Sequence, residues 1–146
     1  MSQAQNLYSK AYGDTKNQAI IFMHREPSGN SNLFEATTSQ KLVDIGFYVI
    51  VYDRRGEGRS IDDNATTTFQ ESFDDLNQIY KLYHLEKANI LAHSFGGIRG
   101  TFYTNQYLEK VKSLILAAAL VSQQETYNHI LEIPILAFKN DKNQLL

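Results

Sequence analysis

Apolar residues enter this chain in short bursts separated by longer mixed stretches. Ala19-Ile20-Ile21-Phe22-Met23, Phe47 to Tyr52, Ile90-Leu91-Ala92, Leu114-Ile115-Leu116-Ala117 and Ile133 to Phe138 are continuous runs. Runs this short, rich in Ile and Val, suit strands buried on both faces, the mark of a parallel sheet. In the intervals, Phe69, Phe73, Leu76, Ile79 or Tyr80, and Tyr83 recur every three or four residues and define one apolar helix face. Thr68 stands where that helix needs a cap, and Glu71, Asp74 and Asp75 suit its early turns. Leu33 to Ile45 predicts a second helix, stopped by Gly46, and a third runs from about Gly97 to Tyr107. This alternation predicts an α/β fold with a doubly wound, mostly parallel sheet. Chemistry in such sheets belongs at the carboxyl ends of strands.

One strand end reads Ala92-His93-Ser94-Phe95-Gly96-Gly97. A serine between a buried strand and a helix, with small residues two positions before and after, matches a nucleophile elbow. The requirement is steric: the turn projects the hydroxyl clear of the sheet only if the flanking side chains are tiny. Ala92 and Gly96 satisfy it, although glycine is usual at the first position. The N–H of Phe95 would lie at a helix N-terminus, where it suits an oxyanion. Taken singly, such a serine is equally an ordinary helix cap.

A second strand end, after Tyr48 to Tyr52, reads Asp53-Arg54-Arg55-Gly56-Glu57-Gly58-Arg59-Ser60. Together the two motifs resemble the α/β-hydrolase superfamily, whose members carry D-x-R-G-x-G-x-S after the fourth strand and G-x-S-x-G after the fifth. Asp53, Arg55, Gly56, Gly58 and Ser60 fill every fixed position of the first pattern. The 34 positions from Ser60 to Ser94 leave room for one helix and one strand. A dinucleotide loop is the competing reading of Gly56 to Gly58, but G-x-G-x-x-G needs glycine at 61, where isoleucine stands. The resemblance extends over nearly the whole chain, with Asn6 to Gly13 similar to an early edge strand and Ile133 to Phe138 to strand seven. It implies an α/β-hydrolase sheet shortened to about six strands, in a single domain over residues 1–146. His24 and Pro27 resemble the proline iminopeptidase-like members of the serine-nucleophile branch.

The same resemblance assigns roles. Ser94 becomes the nucleophile. Phe95 supplies one oxyanion N–H, and the loop after strand three, here His24-Arg25-Glu26-Pro27, supplies the other from Arg25 or Glu26. The family often reads H-G-G-P-G there, so Arg25 and Glu26 replace both glycines; they belong to a relaxed solvated loop or, for Arg25, to binding of an acidic substrate group. Asp141, in the turn after strand seven, is the acid candidate, with an exposed turn aspartate as the plain alternative. Triad order places the histidine after the acid, and only Lys142 to Leu146 follow Asp141. His129 is the remaining base candidate, and a weak one. About sixteen positions separate Ala117 from Ile133, too few for the family's cap, which is expected to be deleted around 122–132.

Composition narrows the function further. The chain has 146 residues, no cysteine and a formal charge of −2. Thiol nucleophiles and zinc–thiolate sites are excluded, and there is no basic footprint for nucleic acid. The longest apolar run, Leu114 to Val121, is far shorter than the roughly 20 residues of a membrane span, and the N-terminus lacks a signal peptide's apolar core. The expectation is a cytoplasmic serine hydrolase acting on a small-molecule ester, thioester or amide, without metal or cofactor and without nucleic-acid or membrane partners, its activity impaired by the missing base. The competing expectation is a catalytically incompetent remnant or ligand-binding module on the same fold. An exposed edge at strand seven further implies a homodimer formed through it, or else a marginal, aggregation-prone monomer.

Overall fold

The structure, a computed structural model, describes residues 7–25, 29–119, 121, 122, 124, 125, 127 and 128. Its elements run β1 (Ser9–Tyr12), β2 (Gln18–Met23), α1 (Asn32–Phe34), a π-helical segment (Glu35–Ser39), α2 (Gln40–Asp44), β3 (Phe47–Tyr52), α3 (Phe69–Leu82), β4 (Ala88–His93), α4 (Gly96–Gln106) and β5 (Val111–Ala117). The described strands form one sheet in the order β1-β3-β2-β4-β5. β2 pairs in parallel with β3 and β4, and β4 with β5, while β1 runs antiparallel along β3. The expected strand over Ile133–Phe138, with His129 and Asp141, lies outside the described residues, as do Glu26 and Pro27.

The apolar runs in β2, β3 and β4 are strands because both of their faces find cover. Ile21, Met23, Ile50, Tyr52 and Ile90 turn to one side and pack with Phe73, Leu76, Ile79 and Tyr80 of α3 and Tyr103 of α4. Phe22, Val49 and Val51 turn to the other and meet Phe34, Leu42 and Val43. Burying a side chain of this size contributes about 1.5–3 kcal/mol, so a one-residue register slip, which would exchange the two faces, is strongly opposed. Asn89, a buried polar residue of β4, is satisfied: it donates to the Ala19 carbonyl at 2.9 Å and accepts from Ser113 Oγ at 2.7 Å.

α3 follows the sequence expectation closely. The Thr68 hydroxyl accepts from the Glu71 N–H, and the buried face comprises Phe73, Leu76, Ile79 and Tyr80, while Phe69 stays 41% exposed. The helix expected over Leu33–Ile45 departs from a regular α-helix. Its middle is a five-residue π-helical segment, Glu35–Ser39, and Ser39 Oγ donates to the Phe34 carbonyl five residues back. A wider turn advances each residue less around the axis. Phe34 can then stack on Phe22, rings 3.8 Å apart and 5° from parallel, while Leu42 and Val43 face the same sheet surface. Gly46 ends the segment at φ +92°, a conformation costly for any residue with a Cβ.

The strand order fixes where a site can form. The chain leaves β2 toward β3 on one side, and leaves β4 toward β5 on the other. The carboxyl ends of β2 and β4 therefore flank the point where the winding reverses, and crevices for ligands open there. Those ends carry His24-Arg25 and His93-Ser94.

Candidate active site

Ser94 follows β4 directly and adopts φ +53°, a left-handed conformation in a non-glycine residue. Such strain, of order 1–3 kcal/mol, persists only where the surroundings over-determine it. Three contacts do so here. The Ser94 N–H donates to the Ala117 carbonyl at the end of β5 (3.1 Å), and the Ser94 carbonyl accepts from Gly97 N–H at 3.0 Å. A Cβ at position 96 would lie 2.7 Å from the His24 carbonyl oxygen and 2.9 Å from that of Met23, so only glycine lets α4 start this close to the end of β2. One turn on, a Cβ at Gly100 would meet the Ala92 methyl at 3.1 Å. The small residues at 92, 96 and 100 thus let strand and helix close tightly around the serine, and Phe95 sits at the helix N-cap with its N–H in the first turn.

The loop after β2 packs against this turn. His24 is 1% exposed. Its Nε2 accepts from the Arg54 backbone N–H at 3.1 Å, so the ring proton is on Nδ1, which donates to the Arg25 carbonyl at 2.8 Å. Burial, reinforced by the neighbouring Arg54 guanidinium, drives the His24 pKa down to about 3. His24 is a neutral bracket with both nitrogens engaged. Arg25 is exposed at the rim. His84 lies at the far end of the sheet, lining a shallow groove of about 700 Å³ at the amino ends of β2 and β4. His93 lines a smaller cleft of about 340 Å³ beside the site, whose walls include Phe22, Phe34, Leu91 and Arg25.

The Asp53–Ser60 motif proves to be the buttress of this region. Asp53, fully buried, accepts from Ser31 N–H and Oγ and from Arg59 N–H, Nε and Nη2 at 2.7–3.0 Å. Burial opposes its charge, but these donors outweigh it and hold the carboxyl below its ordinary pKa. Arg59 also reaches Glu35 at 2.6 Å and lies over the Tyr8 ring at 3.4 Å. Ser60 Oγ donates to the Asp53 carbonyl at 2.6 Å and accepts from Tyr8 N–H at 2.8 Å. Arg55 forms a two-pronged pair with Asp75 of α3, so Asp75 owes its place to tertiary pairing rather than to the helix dipole.

Of the residues singled out from the sequence, the structure places Arg25 just beyond β2 and Ser94 and Phe95 just beyond the neighbouring β4, at the same end of the sheet; the placements of Glu26, His129 and Asp141 fall outside the described residues. Two participants, Arg54 and Glu57, were missed. Arg54, 3% exposed, donates from its guanidinium to the carbonyls of His24 (2.8 Å) and Arg25 (3.0 Å) and to the Glu57 carboxylate (2.7 Å). The available signal was two charged residues in the variable positions of a tight turn at a strand end. Among the described residues no cluster of His, Asp or Glu could hold a metal ion.

This arrangement of sheet, strained serine and strand-end loops defines an α/β-hydrolase, and comparison with known proteins places it more closely. Residues 14–141 match the family model described as serine aminopeptidase, S33. The proline iminopeptidase of Lactobacillus delbrueckii subsp. lactis is 31% identical over 137 residues, which cover 87% of this chain and 46% of that protein. A carboxylesterase structure from the thaumarchaeon Nitrososphaera gargenis superposes with a TM-score of 0.74 at 25% identity, over 94% of this chain and 52% of that one. A proline iminopeptidase-related protein from Thermus thermophilus gives 0.70 at 26% identity, over 77% and 40%. The chain belongs to the serine aminopeptidase (S33) family of α/β-hydrolases. It spans about half the length of the relatives it matches, or less.

Proposed function

We propose that this chain carries the acyl-transfer half of a serine hydrolase, with Ser94 as nucleophile toward an ester, thioester or amide. The observation that carries the reading is the +53° φ of Ser94 at the reversal point of the sheet. Ser94 Oγ attacks the carbonyl carbon, the carbonyl π pair moves onto oxygen, and the Phe95 N–H with one from the Arg25–Glu26 loop stabilises the resulting anion. The hydroxyl proton passes to a base. His24 cannot take it, because Nδ1 is already protonated and Nε2 is occupied; His129 is a weak candidate for that base and Asp141 a candidate for its orienting acid. Relatives named as proline iminopeptidases and carboxylesterases support amides and esters as substrate classes. We also read 1–146 as one core domain with a shortened cap region around 122–132, in which a general base acting on Ser94 would be worth about 10²–10⁴-fold.

A second reading has its own support. The His24 ring is consumed by structure and His84 sits at the opposite end of the sheet, which favours a binding module without turnover. A fluorophosphonate probe separates the two. Stoichiometric labelling that disappears in Ser94→Ala supports the hydrolase; folded protein that takes no label supports the binding module.

A further inference from the structure

The loop carrying Arg25 faces a problem of peptide orientation. An oxyanion needs N–H groups, and a carbonyl turned the same way would repel it. Glycine would let each peptide settle freely, but Arg25 and Glu26 occupy the positions. Something else must fix the peptide planes.

The described contacts supply the device. The Arg54 guanidinium is a rigid planar fork. Nη1 donates to the His24 carbonyl at 2.8 Å and Nη2 to the Arg25 carbonyl at 3.0 Å. Two consecutive carbonyls are thereby turned toward one group. In a trans peptide the N–H points opposite to the carbonyl, so the Arg25 N–H faces away from Arg54. The fork is itself fixed. Glu57 accepts from Nη2 at 2.7 Å and is presented by a tight turn in which Glu57 N–H meets the Arg54 carbonyl at 3.0 Å, between Gly56 (φ +73°) and Gly58 (φ +53°). Through the close approach of Gly96 to the His24 carbonyl, any swing of this loop is felt in the turn that holds Ser94.

We infer that Arg54, braced by Glu57, is a positioning residue that turns the His24 and Arg25 carbonyls aside and keeps both from facing the developing oxyanion. The inference rests on the serine-hydrolase reading of Ser94. In a chain that has lost loop glycines, a buried cation does by attraction what glycine would do by freedom.

The test compares Arg54→Gln, Arg54→Lys, Glu57→Gln and Arg55→Gln in the full chain, at a temperature where circular dichroism shows all of them folded. Two measurements are read: hydrolysis of p-nitrophenyl acetate, and the His24 ring tautomer by ¹⁵N NMR. Loss of an oxyanion donor costs about 10²–10³-fold in turnover. Arg54→Gln should therefore lower kcat by about 10²-fold with KM nearly unchanged, and Arg54→Lys should recover part of that. Glu57→Gln should fall between wild type and Arg54→Gln, and Arg55→Gln, whose partner is Asp75, should keep its kcat. The Nδ1–H tautomer of His24, set by the backbone N–H of residue 54, should persist in every variant and so shows that the loop stays folded. An active wild type with unchanged kcat in Arg54→Gln overturns the inference and spares the hydrolase reading. A wild type that neither turns over nor takes a fluorophosphonate at Ser94 overturns the hydrolase reading and the positioning role with it.

Discussion

His24 concentrates the physical logic of the site in one residue. A buried neutral imidazole with both nitrogens engaged stabilises the fold only while it stays unprotonated. Its folded pKa of about 3 lies below the ordinary 6.5, so the unfolded chain takes up the proton first. The stabilisation is present above pH 6.5 and drains away as pH falls through the window down to about 3. Within that window one proton is bound on unfolding, a slope of about 1.4 kcal/mol per pH unit. Asp53 and Glu35, whose carboxyls are held low despite burial, lose their contributions only further down. Urea unfolding should therefore show stability declining from pH 6.5 to 5, before the carboxylates titrate, and His24→Gln should flatten that decline while lowering stability at pH 7.5. An unchanged slope in the variant would show that His24 is not the proton acceptor.

Among elements, the turn from Asp53 to Ser60 and the start of α3 make contrasting predictions. Gly58 combines φ +53° with a site where a Cβ would stand 2.5 Å from Asp53 Oδ2. That oxygen cannot yield, because Arg59 N–H and Nε already hold it. Gly58→Ala should cost more than about 2 kcal/mol, from left-handed strain plus overpacking, and thermal unfolding will show it. Thr68→Ala removes a single exposed cap bond and should cost only about 1 kcal/mol. The sequence made most of this scale legible. The apolar runs of β2, β3 and β4 were legible because two-sided burial leaves no other reading, and the spacing from Phe73 to Tyr80 located α3 because its face is one continuous stripe. The π-helical segment was not legible, since Leu33–Ile45 fits an α pattern and the wider turn is imposed by Phe22 and the sheet. Arg54 escaped for a related reason. Its role depends on carbonyls thirty positions away, and no local pattern announces such a partner.

For the whole molecule, the described residues include no helix long and apolar enough to cross a membrane. They do leave apolar surface beside the site: Leu33 is 76% exposed, and Ile115 and Leu116 of β5 are 43% and 44% exposed. Adjacent strand residues face opposite sides of a sheet, so Ile115 and Leu116 expose apolar surface on both faces of β5. We propose self-association through the β5 side of the sheet. Light scattering over a concentration series should give a dimer mass that rises with concentration and falls on Ile115→Lys; a monomer at every concentration would refute it.

The hydrogen bond from Ser94 N–H to the Ala117 carbonyl also has a meaning in time. It joins residues 23 positions apart across a parallel pairing, and such non-local contacts form late in folding because the loop between them must close first. The strained turn therefore lacks one of its three restraints while β5 is still undocked, or still inside a ribosome. The full set that holds Ser94 is complete only once β5 has joined the sheet.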